Sequence, residues 1–197
     1  MKRSALDRLV SWVGLALAAV LLVAGVLLTV ASTFINGQVA NQLAAQKITM
    51  PVAAAYGTLP AADQAALAPF AGQEMTNGAQ AEAFADHYIQ AHLNAMSGGK
   101  TYEEISGEYI QLTKDPNADQ AKVKQLGDLR QSMFMGATLR GMLLNAYAFG
   151  TMATIAGIAA VAAFVGAVVM LVLSLLGFRH AKGANGEALA GKAASAE

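Results

Sequence analysis

Between Trp12 and Ala31 the chain reads WVGLALAAVLLVAGVLLTVA, and this stretch decides the fold class. It lies inside a longer run, Leu9 to Gln46, in which 38 consecutive residues carry no charged side chain. About 20 apolar residues cross a 30 Å hydrocarbon core, and an α-helix is the single-segment structure that satisfies every backbone amide and carbonyl there. A span is therefore expected at residues 10–33, with Trp12 where an amphipathic ring anchors at the interface. A second run of 38 uncharged residues, Gly141 to Phe178, gives a second span at residues 149–177.

The rest of the composition follows from these two runs. Of the 197 residues 55% are hydrophobic and only 13% charged, with a mean hydropathy of +0.43. An ordinary soluble domain carries about 25% charged residues, so the balance favours a membrane protein.

Charge also orients the chain. Lys2, Arg3 and Arg8 precede the first span, and Phe178-Arg179-His180-Ala181-Lys182 follows the second. Basic flanks stay inside, which predicts a multi-pass protein of the cell membrane with residues 1–9 and 178–197 both cytoplasmic. Lys47 and Arg140 fall on the outer side, but in a loop longer than about 60 residues, where the charge rule weakens. A cleaved signal peptide is the competing reading of the first span, with Thr29, Ala31 and Ser32 as small residues near a cleavage point. The apolar run exceeds the 7 to 15 residues of a typical signal core, so an uncleaved anchor is expected. The last 20 residues are small and polar, the composition of a disordered tail.

Residues 34–148 form the extracytoplasmic part. They hold seven Lys or Arg against ten Asp or Glu, a net of −3 without a basic stripe, so nucleic acid is not an expected partner. The chain has no cysteine, which removes disulfides, thiolate nucleophiles and Cys-based metal sites. Helix signals dominate this part. Phe34-Ile35-Asn36 and the residues up to Ile48 extend the first helix, and Met50-Pro51 stops it. Pro60 and Pro69 bracket a short alanine-rich helix, with Gly57, Gly72 and Gly78 in the loops around it. From Ala79 to Met96 an amphipathic helix is expected, with Phe84, Tyr88, Ala91 and Ala95 as its apolar stripe. Gly98 and Gly99 end it, and Thr101 with Glu104 makes a capping box for the next helix. Asp115-Pro116 reads as an N-cap followed by proline in the first turn, opening a helix that continues into the second span. The fold class is thus an all-α membrane protein, two transmembrane helices with a helical extracytoplasmic lobe between them.

Several groups invite a chemical reading. Gly99-Lys100-Thr101 has the end of a phosphate-binding loop, but Asn94 stands where the motif needs its first glycine. His87 and His92, with Asp86 beside the first, suggest a metal. Five helical residues turn through about 500°, which leaves the two imidazoles about 140° apart, unlike the i, i+4 pair of a zinc helix. Glu103, Glu104 and Glu108 belong on a solvated helix face, and the few histidines leave no serine or threonine with a positioned base. Ala153 with Gly157, and Ala162 with Gly166, are small-xxx-small pairs suited to close helix packing. Neither span core carries an ionisable residue, which argues against an ion or proton pathway. No catalytic residue, metal ligand or cofactor is assigned.

Three stretches, HLNAMSGGKTYEE from His92, ATLRGMLLNAYAFG from Ala137 and QKIT from Gln46, resemble a family of small two-span actinobacterial membrane proteins. The family is uncharacterised, its members are often labelled aromatic ring-opening dioxygenase, and it has no established catalytic residues. The resemblance implies an envelope membrane protein whose recognisable surface is His92, Gly98, Gly99, Lys100, Thr101 and Tyr102. The label itself meets a chemical obstacle, because a non-haem iron site needs two histidines and a carboxylate converging on one point. Here His87 and His92 diverge and His180 lies across the membrane from both.

The function expected is a non-enzymatic accessory or scaffold protein of the cell envelope, making protein contacts through its outer helices. Its partners would be the lipid bilayer and either another envelope protein or further copies of itself. The alternatives are a membrane-anchored metal-dependent enzyme using Asp86, His87 and His92, and a small oligomeric channel, for which Asn145, Thr151 and Thr154 offer only a thin polar lining.

Overall fold

A computed structural model describes the backbone of residues 3–194 and the side chains of residues 5–183. The described chain is helical, with no strand beyond a single antiparallel bridge between Thr49 and Glu74. The elements are α1 (Arg3–Ala45), α2 (Ala53–Tyr56), α3 (Ala61–Leu67) with a 3-10 turn after it (Ala68–Phe70), α4 (Gly78–Ala83), a π segment (Phe84–Ile89), α5 (Gln90–Ser97), α6 (Tyr102–Thr113) and α7 (Gln120–Ala194). Two compact units result. One joins the residues up to Phe34 with those from Ala153 onward, and the other is Ile35–Met152.

The first unit is an antiparallel helical hairpin. Its buried positions on α7 are Ala153, Ala160, Ala167, Ser174 and Ala181, and on α1 Ser11, Ala18 and Gly25, each seven residues from the next. A strict seven-residue repeat keeps one seam facing the partner helix and gives a left-handed crossing. Small side chains let the backbones approach closely. A Cβ on Gly25 would stand 2.9 Å from the Phe164 ring, and one on Gly166 3.3 Å from Leu21. Ser32 donates a hydrogen bond to the Ala153 carbonyl at 2.7 Å, while the hydroxyls of Ser11, Thr29 and Ser174 donate to carbonyls four residues back in their own helices. Trp12 and Phe178 meet edge to face, centroids 5.6 Å apart. Of the two small-residue pairs expected, Ala153–Gly157 lies on the packed face. In the other only Gly166 does, and Ala162 is exposed.

Both long helices pass the length and hydropathy required to cross a bilayer, with means of 2.8 and 2.7 over their most apolar stretches. Only 11% and 22% of those stretches are buried within the protein. The core helix of a soluble protein would be mostly buried. Here Val20, Leu27, Ile158 and Val161 each expose 64% to 66% of their surface.

The second unit has a core of large side chains, with Met50, Leu67, Met75 and Ile105 at 2% exposure or less. Residues 35–45 of α1 and 120–152 of α7 contribute Val39, Leu43, Met133 and Leu143 to it. After α1 the chain turns at Lys47, which adopts a left-handed φ of 52°. The helix therefore ends five residues before Met50, not at the Met50-Pro51 step. Residues 48–50 then lie beside 72–75. Met50 donates its N–H to the Gln73 carbonyl at 2.8 Å, and Met75 donates to Ile48 at 2.9 Å. This short pairing draws the region of α2 and α3 onto the core, where Tyr56 and Leu67 are buried.

Three local findings differ from the sequence reading. The helix over residues 78–97 buries Ala81, Ala85, Ile89, Leu93 and Ser97 most deeply, while of the expected stripe Phe84 and Tyr88 pack half-buried against the core and Ala95 is exposed. A spacing of four drifts around a regular α-helix, but a π turn takes more residues and brings the stripe back into line. Second, Asp115 does not cap α7. Asp115 and Pro116 open a turn in which Ala118 donates to the Asp115 carbonyl at 3.1 Å, and the cap is Asp119, whose Oδ1 accepts from the Ala121 N–H at 2.9 Å. Aspartate followed by proline is also the preferred start of a type I turn, and that use prevailed here. Third, α7 continues to Ala194, through most of the stretch whose composition reads as a disordered tail.

Candidate functional site

The π segment concentrates the polar chemistry of the second unit. An i→i+5 turn carries one extra residue and re-aims the side chains around it, which is why such segments recur at functional sites. Here it sends two adjacent residues to different neighbours. Asp86 turns to α7, where Arg140 donates from Nε at 3.0 Å and Nη2 at 2.7 Å, both to Oδ1. His87 turns to α3, with Nδ1 2.8 Å from Oδ1 of Asp63. The four side chains are about one-fifth to one-third exposed. The arrangement clamps α3 and α7 to one turn of helix.

A His–Asp pair orients an imidazole for acid–base work when a nucleophile stands at its other nitrogen. Asp63 is the one hydrogen-bond partner of His87 among the described residues. His92 is engaged elsewhere. Its Nδ1 lies 2.7 Å from the Tyr88 carbonyl, and its exposed ring rests 4.4 Å from Tyr88, which in turn stacks on Phe84 at 5.0 Å. Asp86, His87 and His92 therefore do not converge. Among the described residues no group of three His, Cys, Asp or Glu is arranged to hold a metal ion.

The stretch from Gly98 to Tyr102 is a joint between α5 and α6. Gly98 and Gly99 have φ of +67° and +82°, a left-handed region where a Cβ is strained even though the space around both is open. The Gly99 N–H donates to the Asn94 carbonyl at 2.9 Å, closing α5. Thr101 and Glu104 form the expected capping box. Glu104 Oε2 accepts from the Thr101 N–H at 2.7 Å and its hydroxyl at 2.8 Å, and the Glu104 N–H donates back to Thr101 Oγ1. The backbone bond from Thr101, then the hydroxyl bond, holds the Glu104 carboxyl below its ordinary 4.5. Lys100 reaches Glu108 at 2.6 Å, and its carbonyl accepts from the Ser97 hydroxyl.

Tyr102 belongs to a cluster that sequence reading missed. Arg130 of α7 donates from Nε to the Ser106 hydroxyl at 2.9 Å and from Nη2 to the Tyr102 hydroxyl at 3.4 Å. Its guanidinium lies 5.3 Å from the centre of the Tyr109 ring and 5.9 Å from that of Tyr102. The signal was present, since Tyr102, Ser106 and Tyr109 recur at i, i+4 and i+7 and so share one face of α6. Of the six residues singled out from sequence, the five from Gly98 to Tyr102 sit together at this joint, and His92 stands on α5 before it.

No protein-family profile, no curated protein and no solved structure matches the chain, so the functional reading rests on its own residues.

Proposed function

We propose that this chain is a non-enzymatic accessory or scaffold protein of the cell envelope. It is held in the membrane by α1 and the second part of α7, with both ends cytoplasmic, and its outer lobe makes protein contacts. One observation carries the contact reading. Along residues 134–142 of α7, Phe134, Met135, Leu139 and Met142 are each 42% to 65% exposed, and the face continues through Phe149 and Met152 at the start of the span. Contiguous apolar surface on this scale marks an interaction site, and methionine suits such surfaces because its flexible, polarisable side chain adapts to a partner.

Lipid is a poor cover for this face. α1 shares the lobe core with it through Val39 and Leu43, yet presents Asn36, Gln38, Asn41 and Gln42 to the outside. Exposed amides at that depth would lack partners in hydrocarbon. The inner end fits an interface, with Trp12 and Phe178 in contact close to Arg8 and Arg179.

The test is crosslinking in native membranes, followed by mild solubilisation and mass spectrometry through a tag on the carboxyl end. Reproducible conjugates, with another protein or with a second copy, are expected. Repeated recovery of the monomer alone would overturn the proposal. Metal analysis of the purified protein is expected to give less than about a tenth of an equivalent of iron or zinc, against the metal-dependent alternative.

A further inference from the structure

The apolar face of α7 has a periodicity of its own. Met135, Thr138, Met142, Asn145, Phe149 and Met152 follow one another in steps of three and four, and all six are exposed. This is the spacing of a coiled-coil seam, and a seam of this kind takes another helix as its partner. The positions flanking it are Phe134, Leu139, Gly141, Ala146 and Ala148, none charged. Arg140, the one charged residue in the stretch, is directed at Asp86.

We infer that the occupant is a second copy of this chain, α7 packed in parallel against α7 about a two-fold axis normal to the bilayer. The inference rests on the membrane scaffold reading and names the partner left open there. Two copies inserted in one membrane share an orientation, so equivalent residues meet at equal height, the condition for a self-complementary two-fold contact. Asn145 then faces Asn145. A carboxamide carries both donors and an acceptor, so the two copies satisfy each other when aligned in this register. The Asn145 side chain has no partner among the described residues. The absence of flanking charge removes like-charge repulsion between identical faces, and a partner with charged flanks would find nothing here to pair with. Gly141 has open space where a Cβ would stand, which leaves room for close approach.

The area is consistent with a membrane-confined dimer. With large side chains at about 150–250 Å² each, the exposed fractions amount to roughly 600 Å² per copy. A standard interface between freely diffusing proteins buries about 800 Å² per partner, and confinement to a membrane raises the effective concentration.

The chain has no cysteine, so single substitutions can be read without background. The experiment places T138C, M142C, N145C and F149C, one at a time, in the full chain in native membranes and oxidises them. A137C, Y147C and T151C, also exposed but off the seam, are the controls. Disulfide-linked dimer is expected at seam positions in about fivefold or greater excess over the controls, because the bond requires Cβ atoms about 4 Å apart. Equal yields on and off the seam would overturn the inference. Conjugates of the seam residues with a different protein, under a heterobifunctional crosslinker, would overturn the second copy while leaving the scaffold reading intact. No conjugate of any kind would overturn both. As an independent check, M142E is expected to shift the solubilised complex from dimer to monomer mass, and a mass unchanged by M142E would count equally against the inference.

Discussion

The hairpin and the lobe solve the same packing problem with opposite side chains. In the hairpin the buried positions include Ser11, Ala18, Gly25, Ala160, Ala167 and Ser174, and the large apolar residues point outward. In the lobe Met50, Leu67, Met75 and Ile105 point inward and form the bulk of the core, with the small Ala81, Ala83 and Ala85 filling the space beside them. With the hairpin placed in the bilayer, as proposed, the difference follows the solvent. Where water surrounds the protein, burying a large side chain contributes about 1.5–3 kcal/mol, so bulk collects inside. Between lipid tails that driving force is absent, and helices associate through close backbone approach over small residues. Stability in the lobe therefore depends on filled volume, and in the hairpin on empty volume.

That contrast breaks most readily at Ile105, which is 2% exposed. Ile105→Ala is expected to destabilise the lobe by about 2–5 kcal/mol, from lost burial and the cavity left behind. Denaturant unfolding in nanodiscs, followed by amide exchange in the lobe, measures it. The same truncation on the outer face of the hairpin, Val161→Ala, should change little. In the hairpin the damaging change is addition. Gly25→Leu forces a side chain into the Phe164 ring and is expected to weaken α1–α7 association by about 1–3 kcal/mol. A hairpin indifferent to Gly25→Leu but sensitive to Val161→Ala would reverse the comparison. A smaller effect follows from the clamp at the π segment. Arg140→Met removes a partly exposed ion pair worth less than about 1 kcal/mol, and should appear as faster exchange confined to residues 84–89.

What was legible in the sequence follows the same division. Two helices long enough to cross a bilayer could be read from uncharged runs alone, because exclusion of charge is a one-dimensional property. The joint at Gly98 to Thr101 was legible for a related reason, since caps act within four residues. The seven-residue repeat from Ala153 to Ala181 was equally one-dimensional but hidden, because alanine is so frequent here that a regular set does not stand out. Gly78 reads as a loop residue, yet it is buried where the backbone of α4 meets that of α7, and a Cβ would stand 3.0 Å from the Tyr147 Cα. Its reason lies 69 positions away in the chain. The clamp of Asp63, Asp86, His87 and Arg140 was hidden twice over. It joins three segments, and it depends on a π turn that makes Ala85 and Ile89 the deepest residues, with Phe84 and Tyr88 half-buried beside them.

The smallest expected effect tests how local the legible part is. Glu104 is fully exposed, and its carboxyl is held below 4.5 by bonds from Thr101, three residues away. A carboxyl whose value is lower folded than unfolded adds stability above the unfolded value and loses it as pH falls through the folded one. The capping contribution should therefore be complete above about pH 4.5 and disappear in more acid solution. Because the bonds are confined to one turn, the loss should appear as faster exchange of the amides at the start of α6, with the Arg130 cluster and the buried Ile105 unaffected. Glu104→Gln keeps an acceptor but no longer titrates, so it should abolish the pH dependence while leaving the helix start in place. If acid loosened the whole lobe in the native chain and in E104Q alike, the effect would not be confined to the cap. The divide between local caps and long-range clamps would then fall in a different place.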